Sequence, residues 1–129
     1  MRAADTNVLV RLVARDDARQ VAAADACVAD GAWVSTLALA EATWVLTSVY
    51  KLNAGKLADV IGKLLDHQSL VLQDPDVVAA ALRLFKQKPS VGFSDCLLLG
   101  VAAKAGHLPL GTFDRNLAKL EGAERVLRG

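Results

Sequence analysis

Apolar residues recur at two different spacings along this chain, and segments of the two kinds alternate. Helical spacing, with apolar positions three or four residues apart, predicts helices over about 18–30, 37–50, 54–66, 75–88 and 94–105. Shorter apolar segments predict strands at 2–4, 32–34, 69–72 and 108–113, with a last edge strand at 125–127. This alternation predicts an α/β fold, a three-layer sandwich with a mainly parallel central sheet.

Polar residues stand where several of these helices would begin. Ser35 or Thr36 and then Asn53 are candidate caps, and Gly31 and Gly106 stand where helices would end. A further short helix is predicted directly after Asp5, from Leu9, Leu12 and Val13 at helical spacing. Thr6 or Asn7 is its expected cap, and Asp5 is the structural alternative.

Composition bounds the size and setting of the protein. The chain has 129 residues, which suits a single domain over 1–129, and it is 53% hydrophobic but only 5% aromatic. Its core should therefore consist mostly of Ala, Leu and Val. The longest run without a charge, residues 31–40, is too short to span a bilayer, and the first residues carry no leader pattern. Two cysteines in apolar patterns, Cys27 and Cys96, predict reduced thiols and a cytoplasmic protein with no membrane partner.

Four acids stand at the ends of predicted elements. Asp5 and Asp114 each follow a strand, Asp95 opens an apolar helix, and Glu41 is the only charge from 31 to 50. The structural alternative for Asp5 and for Asp95 is helix capping, and for Glu41 it is an exposed helix face. In a parallel sheet all four could converge at the carboxyl edge, where ligands bind.

Convergence of these acids would determine the chemistry. Four carboxylates cannot all stay charged in one dry pocket unless cations neutralise them. Ligands that are all oxygen suit Mg²⁺ or Mn²⁺, and such a site performs phosphoryl chemistry. Other catalytic sets are missing: His67 and His107 are scattered, the cysteines have no close partner, and the glycines form no phosphate-cradling loop.

Four motifs in this order carry a family resemblance. They are Asp5-Thr6-Asn7-Val8-Leu9, Ala40-Glu41 with Trp44-Val45-Leu46, Phe93-Ser94-Asp95 and Thr112-Phe113-Asp114. The whole chain resembles PIN-domain ribonucleases, above all the VapC-type toxins of toxin–antitoxin pairs. The resemblance implies that Asp5, Glu41, Asp95 and Asp114 are catalytic and form a Mg²⁺ site. It implies Thr6 or Thr112 as supporting hydroxyls. It also implies an RNA substrate, a homodimer, and a cognate antitoxin that lies in an apolar groove and directs a basic side chain towards the acids.

These observations leave more than one function open. The leading hypothesis is a Mg²⁺-dependent endoribonuclease that acts as the toxin of a type II toxin–antitoxin system. The alternatives are a nuclease of the same fold in RNA maturation or on DNA, and a non-catalytic domain that binds RNA or a partner. The presence of all four acids favours an enzyme. The net charge of +1 argues against broad coating of RNA, although four arginines could rim the site: Arg2, Arg11, Arg15 and Arg115.

Overall fold

The computed structural model of the chain describes residues 1–127, and the chain divides into two compact units, residues 1–75 and residues from 76 on. The first unit contains β1 (Arg2–Ala3), α1 (Thr6–Ala14), α2 (Ala18–Val28), β2 (Ala32–Val34), α3 (Thr36–Ser48), α4 (Ala54–Asp66) and β3 (Leu70–Leu72). The second contains α5 (Pro75–Gln87) apart from its first residue, a 3₁₀ turn (Pro89–Val91), α6 (Phe93–Ala105), β4 (Leu110–Thr112), α7 (Arg115–Ala118) and β5 (Ala123–Arg125).

The first unit is built on a parallel sheet in the order β1-β2-β3. Ala32 of the central strand is the partner of both Arg2 and Leu70. The central strand buries Ala32 and Val34 and exposes Trp33 between them, which is the period-two pattern of a strand covered on one face. The backbone N–H of Ala4 donates to the carbonyl of Trp33 at 2.8 Å, so the ladder continues to the residue before Asp5.

The helices of the first unit bury apolar stripes of aliphatic residues. In α1 the fully buried positions are Leu9 and Val10, and this helix packs against α2 and α3. Leu39 and Leu46 of α3 and Ile61 of α4 are among the most deeply buried side chains. The core is therefore the Ala, Leu and Val core that the composition predicts.

The second unit has its own parallel pair and its own core. β4 pairs with β5, with Leu110 opposite Ala123. Leu99, Leu117 and Leu120 form a buried cluster. The rings of Phe85 and Phe93 meet edge to face, with centroids 6.0 Å apart; this arrangement suits aromatic quadrupoles.

The α/β class and the parallel pairing are confirmed, because every described strand pair is parallel. The strands lie in two sheets, one in each unit, and the last strand ends at Arg125 and pairs with β4. The apolar α6 is less buried than its composition predicts, since Leu98 and Val101 are 51% and 40% exposed. No helix in residues 1–127 is long and apolar enough to cross a membrane.

Ser35 provides a test of how α3 is held. Its hydroxyl accepts a bond from the Ala38 N–H at 3.0 Å, which satisfies one of the donors at the start of the helix. We expect Ser35→Ala to lower the free energy of unfolding by about 1 kcal/mol, and Ser35→Asp to retain most of it. Urea denaturation measures both. Ser90→Ala is the control; an equal loss in the control would show that the cap contributes nothing specific.

Candidate active site

Asp5 is the N-cap of α1. Its Oδ1 accepts a hydrogen bond from the Val8 N–H at 3.1 Å, so Asp5, rather than Thr6 or Asn7, begins the helix. Asp5 therefore does cap a helix, which is the structural alternative to a catalytic role. Capping occupies one carboxylate oxygen, and Oδ2 has no hydrogen-bond partner among residues 1–127. The side chain is exposed, so the cap leaves it available to a ligand.

Glu41 is joined to the Asp5 region by Thr6. The Thr6 hydroxyl donates to Glu41 Oε2 at 2.8 Å and links the start of α1 to the middle of α3. An open groove of about 280 Å³ lies here, lined by Ala3, Ala4, Asp5, Thr6, Ser35, Leu37, Ala38 and Glu41. Glu41 is exposed, which agrees with the alternative that it lies on an exposed helix face. Its Oε2 nevertheless accepts a hydrogen bond from a residue of another helix.

Asp114 repeats the arrangement of Asp5 in the second unit. It caps α7 through a bond from the Leu117 N–H to its Oδ1 at 2.9 Å. Its own backbone N–H donates to the Thr112 hydroxyl at 3.0 Å, which fixes the turn between strand and helix. Of the two hydroxyls that the resemblance suggests, Thr6 contacts an acid side chain and Thr112 contacts an acid's backbone.

Asp95 does not cap its helix. α6 begins at Phe93 after Gly92, and no side chain caps it there, so Asp95 lies in the first turn. Gly92 has φ +89°, a conformation that glycine adopts readily. Asp95 is half-buried, and its pKa is raised above the usual 3.8, first by burial and then by the charge of Asp114. Both causes disfavour the charged form, which shows that Asp114 is near enough to repel it.

None of the four acids makes an ion pair with a basic side chain within residues 1–127. Two of the four arginines expected at a rim are engaged elsewhere. Arg11 pairs with Asp16 at 2.8 Å, and Arg15 pairs with Asp25 at 2.8 Å. The rim stays a prediction for these two: acids on α2 and its preceding loop accept their hydrogen bonds, while Arg11 also lines a cavity that contains Asp5.

The donor chemistry of the acids fits a hard divalent cation. Asp5, Glu41 and Thr6 offer only oxygens, as do Asp95 and Asp114; this is the set that Mg²⁺ and Mn²⁺ prefer. Within the described chain, no group of three or more His, Cys, Asp or Glu residues is arranged to hold a metal ion.

The thiol beside Asp95 is unsuited to nucleophilic chemistry. Burial, and then the charge of Asp95, raises the pKa of Cys96 to about 11. A thiol with that pKa carries almost no thiolate at neutral pH, and thiolate is the reactive form. Cys96 is also fully buried.

The sequence of the chain matches the model of a known family. The PIN domain family model matches residues 3–123, a region that contains all four acids. The chain belongs to the PIN domain family. No curated protein and no solved structure matches it. PIN domains are typically nucleases and generally use divalent metal ions. The VapC-type resemblance stays a prediction.

A second polar cluster lies near Asp5, and no prediction from the sequence includes it. A cavity of about 300 Å³ is lined by Asp5, Asn7, Val8, Arg11, Gln20, Ala23 and Ala24. The helical spacing of Asn7 and Arg11, four residues apart, was a signal that both lie on one face of α1. Nothing in the sequence indicated that Tyr50 would bond to Arg11 from the end of α3.

Asp95 provides a test of whether its charge is unfavourable in the native state. Because its native pKa is raised, the native state binds this proton more tightly than the unfolded chain does. The stabilising contribution of the protonated form is present below about pH 3.8 and is lost as the pH rises through the raised native pKa. In chelator at pH 7, Asp95→Asn should therefore melt a few degrees above wild type, by about 1 kcal/mol or less because water screens a half-buried group.

The stability difference should disappear in melts below pH 3.8, where wild type is also neutral at this position. Asp30→Asn removes an exposed acid outside the motifs and serves as the control. If Asp95→Asn melted lower than wild type in chelator at pH 7, Asp95 would have a favourable partner and the account of its charge would be wrong.

Proposed function

We propose that this PIN domain is a divalent-metal-dependent endoribonuclease that acts as the toxin of a type II toxin–antitoxin system. The residues that the reaction needs are Asp5, Glu41, Asp95 and Asp114. One observation carries the proposal: four acids in a PIN domain have no ion-pair partner in the described chain.

The unpaired acids support a role for a cation. Exposed acids outside the motifs, such as Asp30, are also unpaired, so the argument rests most on Asp95. Asp95 is half-buried near the charge of Asp114 and has no compensating cation in the described chain. When bound, Mg²⁺ or Mn²⁺ would lower the pKa of a water so that hydroxide is available to attack a phosphodiester, and would neutralise charge on the phosphate oxygens.

The chain's own contribution is to hold the acids in place. The Val8 N–H orients Asp5, the Thr6 hydroxyl orients Glu41, and the Leu117 N–H orients Asp114. Each bond fixes one oxygen and leaves the other for a ligand. Side chains held by such bonds need less reorganisation when a ligand binds.

The toxin role is supported by the family resemblance and by the surface beside Glu41. Leu37 and Trp44 lie about one helical turn on either side of Glu41 on α3, and they are 68% and 65% exposed. Exposed apolar side chains around an acid suit an antitoxin segment that covers the acid and presents a basic side chain to it. The proposal includes a homodimer, which analytical ultracentrifugation tests directly.

The first experiment measures metal-dependent cleavage of RNA. Purified protein should cut a structured RNA with Mg²⁺ or Mn²⁺ and stop in chelator. Asp5→Asn should reduce the rate to background while the fold stays intact, since Asn caps a helix about as well as Asp. Thr6→Val should reduce metal affinity or rate by about 10- to 100-fold, the usual effect of losing a group that orients a ligand.

Thr47→Val is the matched control, because the Thr47 hydroxyl bonds only to carbonyls of its own helix. Undiminished cleavage in chelator, with contaminating nuclease excluded, would contradict metal dependence. Faster cleavage of DNA than of RNA would favour the nuclease alternative, and RNA binding without cleavage by wild type would favour the non-catalytic one.

The second experiment tests the toxin role in cells. Expression of the wild-type chain alone should arrest growth, and Asp5→Asn at equal abundance should relieve the arrest. The Thr47→Val control should arrest growth as wild type does. An Asp5→Asn protein as toxic as wild type would show that the arrest does not come from this chemistry.

A further inference from the structure

The cavity beside Asp5 combines an apolar wall with fixed polar groups. Val8 on α1 and Ala23 and Ala24 on α2 supply the apolar part, and Asn7, Arg11 and Gln20 supply the polar part. Its volume of about 300 Å³ is at the lower end of the range for small-molecule sites, roughly 300–1,000 Å³. A site of this size suits a single flat ring system.

Arg11 is held rigidly at this cavity. Its Nε donates to Gln20 Oε1, and its Nη1 donates to Asp16 Oδ1 and to the Tyr50 hydroxyl, each at 2.8 Å. The Tyr50 hydroxyl in turn donates to Asp16 Oδ2 at 3.0 Å, and this bond is the first cause of a lowered Asp16 pKa. Asp16 therefore stays charged and balances Arg11 at neutral pH.

Two hydrogen-bond donors at the cavity remain without acceptors. Arg11 Nη2 makes no hydrogen bond within residues 1–127. Gln20 uses its carbonyl oxygen on Arg11, which leaves its amide Nε2 free of any partner in the same part of the chain. Because Arg11 and Gln20 are bonded to each other, the two donors are neighbours. A ligand for them must present acceptor atoms at a similar spacing.

The charges at the cavity favour a neutral ligand over an anion. Asp16 already balances Arg11, and Asp5 adds a negative charge to the same wall. A phosphate here would meet an uncompensated carboxylate without a free cation to attract it. A nucleobase is neutral, has flat apolar faces for Val8 and the alanines, and carries polar groups on its edge.

We propose that this cavity binds guanine and so selects the nucleotide beside the cleaved phosphate. Guanine presents O6 and N7, two adjacent acceptors that paired donors recognise, with Arg the commonest reader. The Asn7 amide adds an acceptor for the N–H groups of the same base. Adenine would place its amino group against the donors. The cleavage role rests on the proposed function, because Asp5 lines both this cavity and the groove with Glu41.

The direct test measures base binding without cleavage. The full chain is titrated with each of the four nucleosides in chelator, and the side-chain amide signals of Asn7 and Gln20 are followed by ¹H–¹⁵N NMR. Guanosine should shift both signals and bind about tenfold more tightly than adenosine, the usual discrimination of a paired contact. Gln20→Ala should weaken guanosine binding about tenfold, and it should fold, because Gln20 is exposed and alanine favours helix.

Arg19→Ala is the matched control, since Arg19 is exposed on the same helix and does not line the cavity. Equal binding of adenosine or uridine, or unchanged guanosine affinity in Gln20→Ala, would overturn the proposal. So would guanosine shifts that leave the Asn7 and Gln20 amides unaffected.

Cleavage of RNAs that differ by one guanine separates this proposal from the proposed function. Wild type should cut beside guanine, and Gln20→Ala should lose that preference by about tenfold while it still cuts with Mg²⁺. Metal-dependent cleavage with no guanine preference would overturn the subsite and leave the nuclease standing. Specific guanosine binding in a protein that cuts no RNA would support the subsite and overturn the nuclease.

Discussion

The passage from β1 to α1 through Asp5 is the constraint on which the first unit depends. β1 is only two residues long, and its ladder ends with the Ala4 N–H, so Asp5 must finish a strand and begin a helix in one step. Its bond to the Val8 N–H fixes the first turn of α1. Thr6 is thereby placed to reach Glu41, and Asn7 and Arg11 are placed along the cavity. Moving this cap would disturb both surfaces together.

Asp95 differs from the ion-paired acids of this chain in what surrounds its carboxylate. The sequence has 15 basic and 14 acidic residues, so there are enough cations to pair most carboxylates. Asp16, Asp25 and Asp76 each form an ion pair with a basic side chain. Asp95 instead lies half-buried near Asp114 without a compensating cation, and its raised pKa reports the free energy that this placement costs. A bound cation would neutralise the Asp95 charge and relieve this unfavourable free energy, which agrees with the use of divalent ions in PIN domains.

Features that depend on residues close together in the chain could be predicted from the sequence. Contacts between residues far apart in the chain could not. A cap links residues three apart, so Ser35 and Asn53 could be read directly from the chain as capping residues. The elements after which Asp5 and Asp114 stand could be predicted in the same way. The bond between Thr6 and Glu41 joins residues 35 positions apart and depends on how α1 packs on α3. The start of α6 was predicted to within one residue, at 94 instead of Phe93, although Gly92 precedes it and no side chain caps it.

The network around Arg11 explains how a cation can lie beside Asp5 without neutralising it. An ion pair between Arg11 and Asp5 would compete with a divalent ion for the Asp5 carboxylate. Gln20, Asp16 and Tyr50 instead accept the Nε and Nη1 hydrogens of Arg11. The guanidinium therefore has hydrogen-bond partners at Nε and Nη1, while Nη2 remains available to a neutral acceptor. Arg11 thus forms its ion pair with Asp16 and not with Asp5, and Nη2 remains for a base, so the metal chemistry and the base selection proposed for this domain can share one wall.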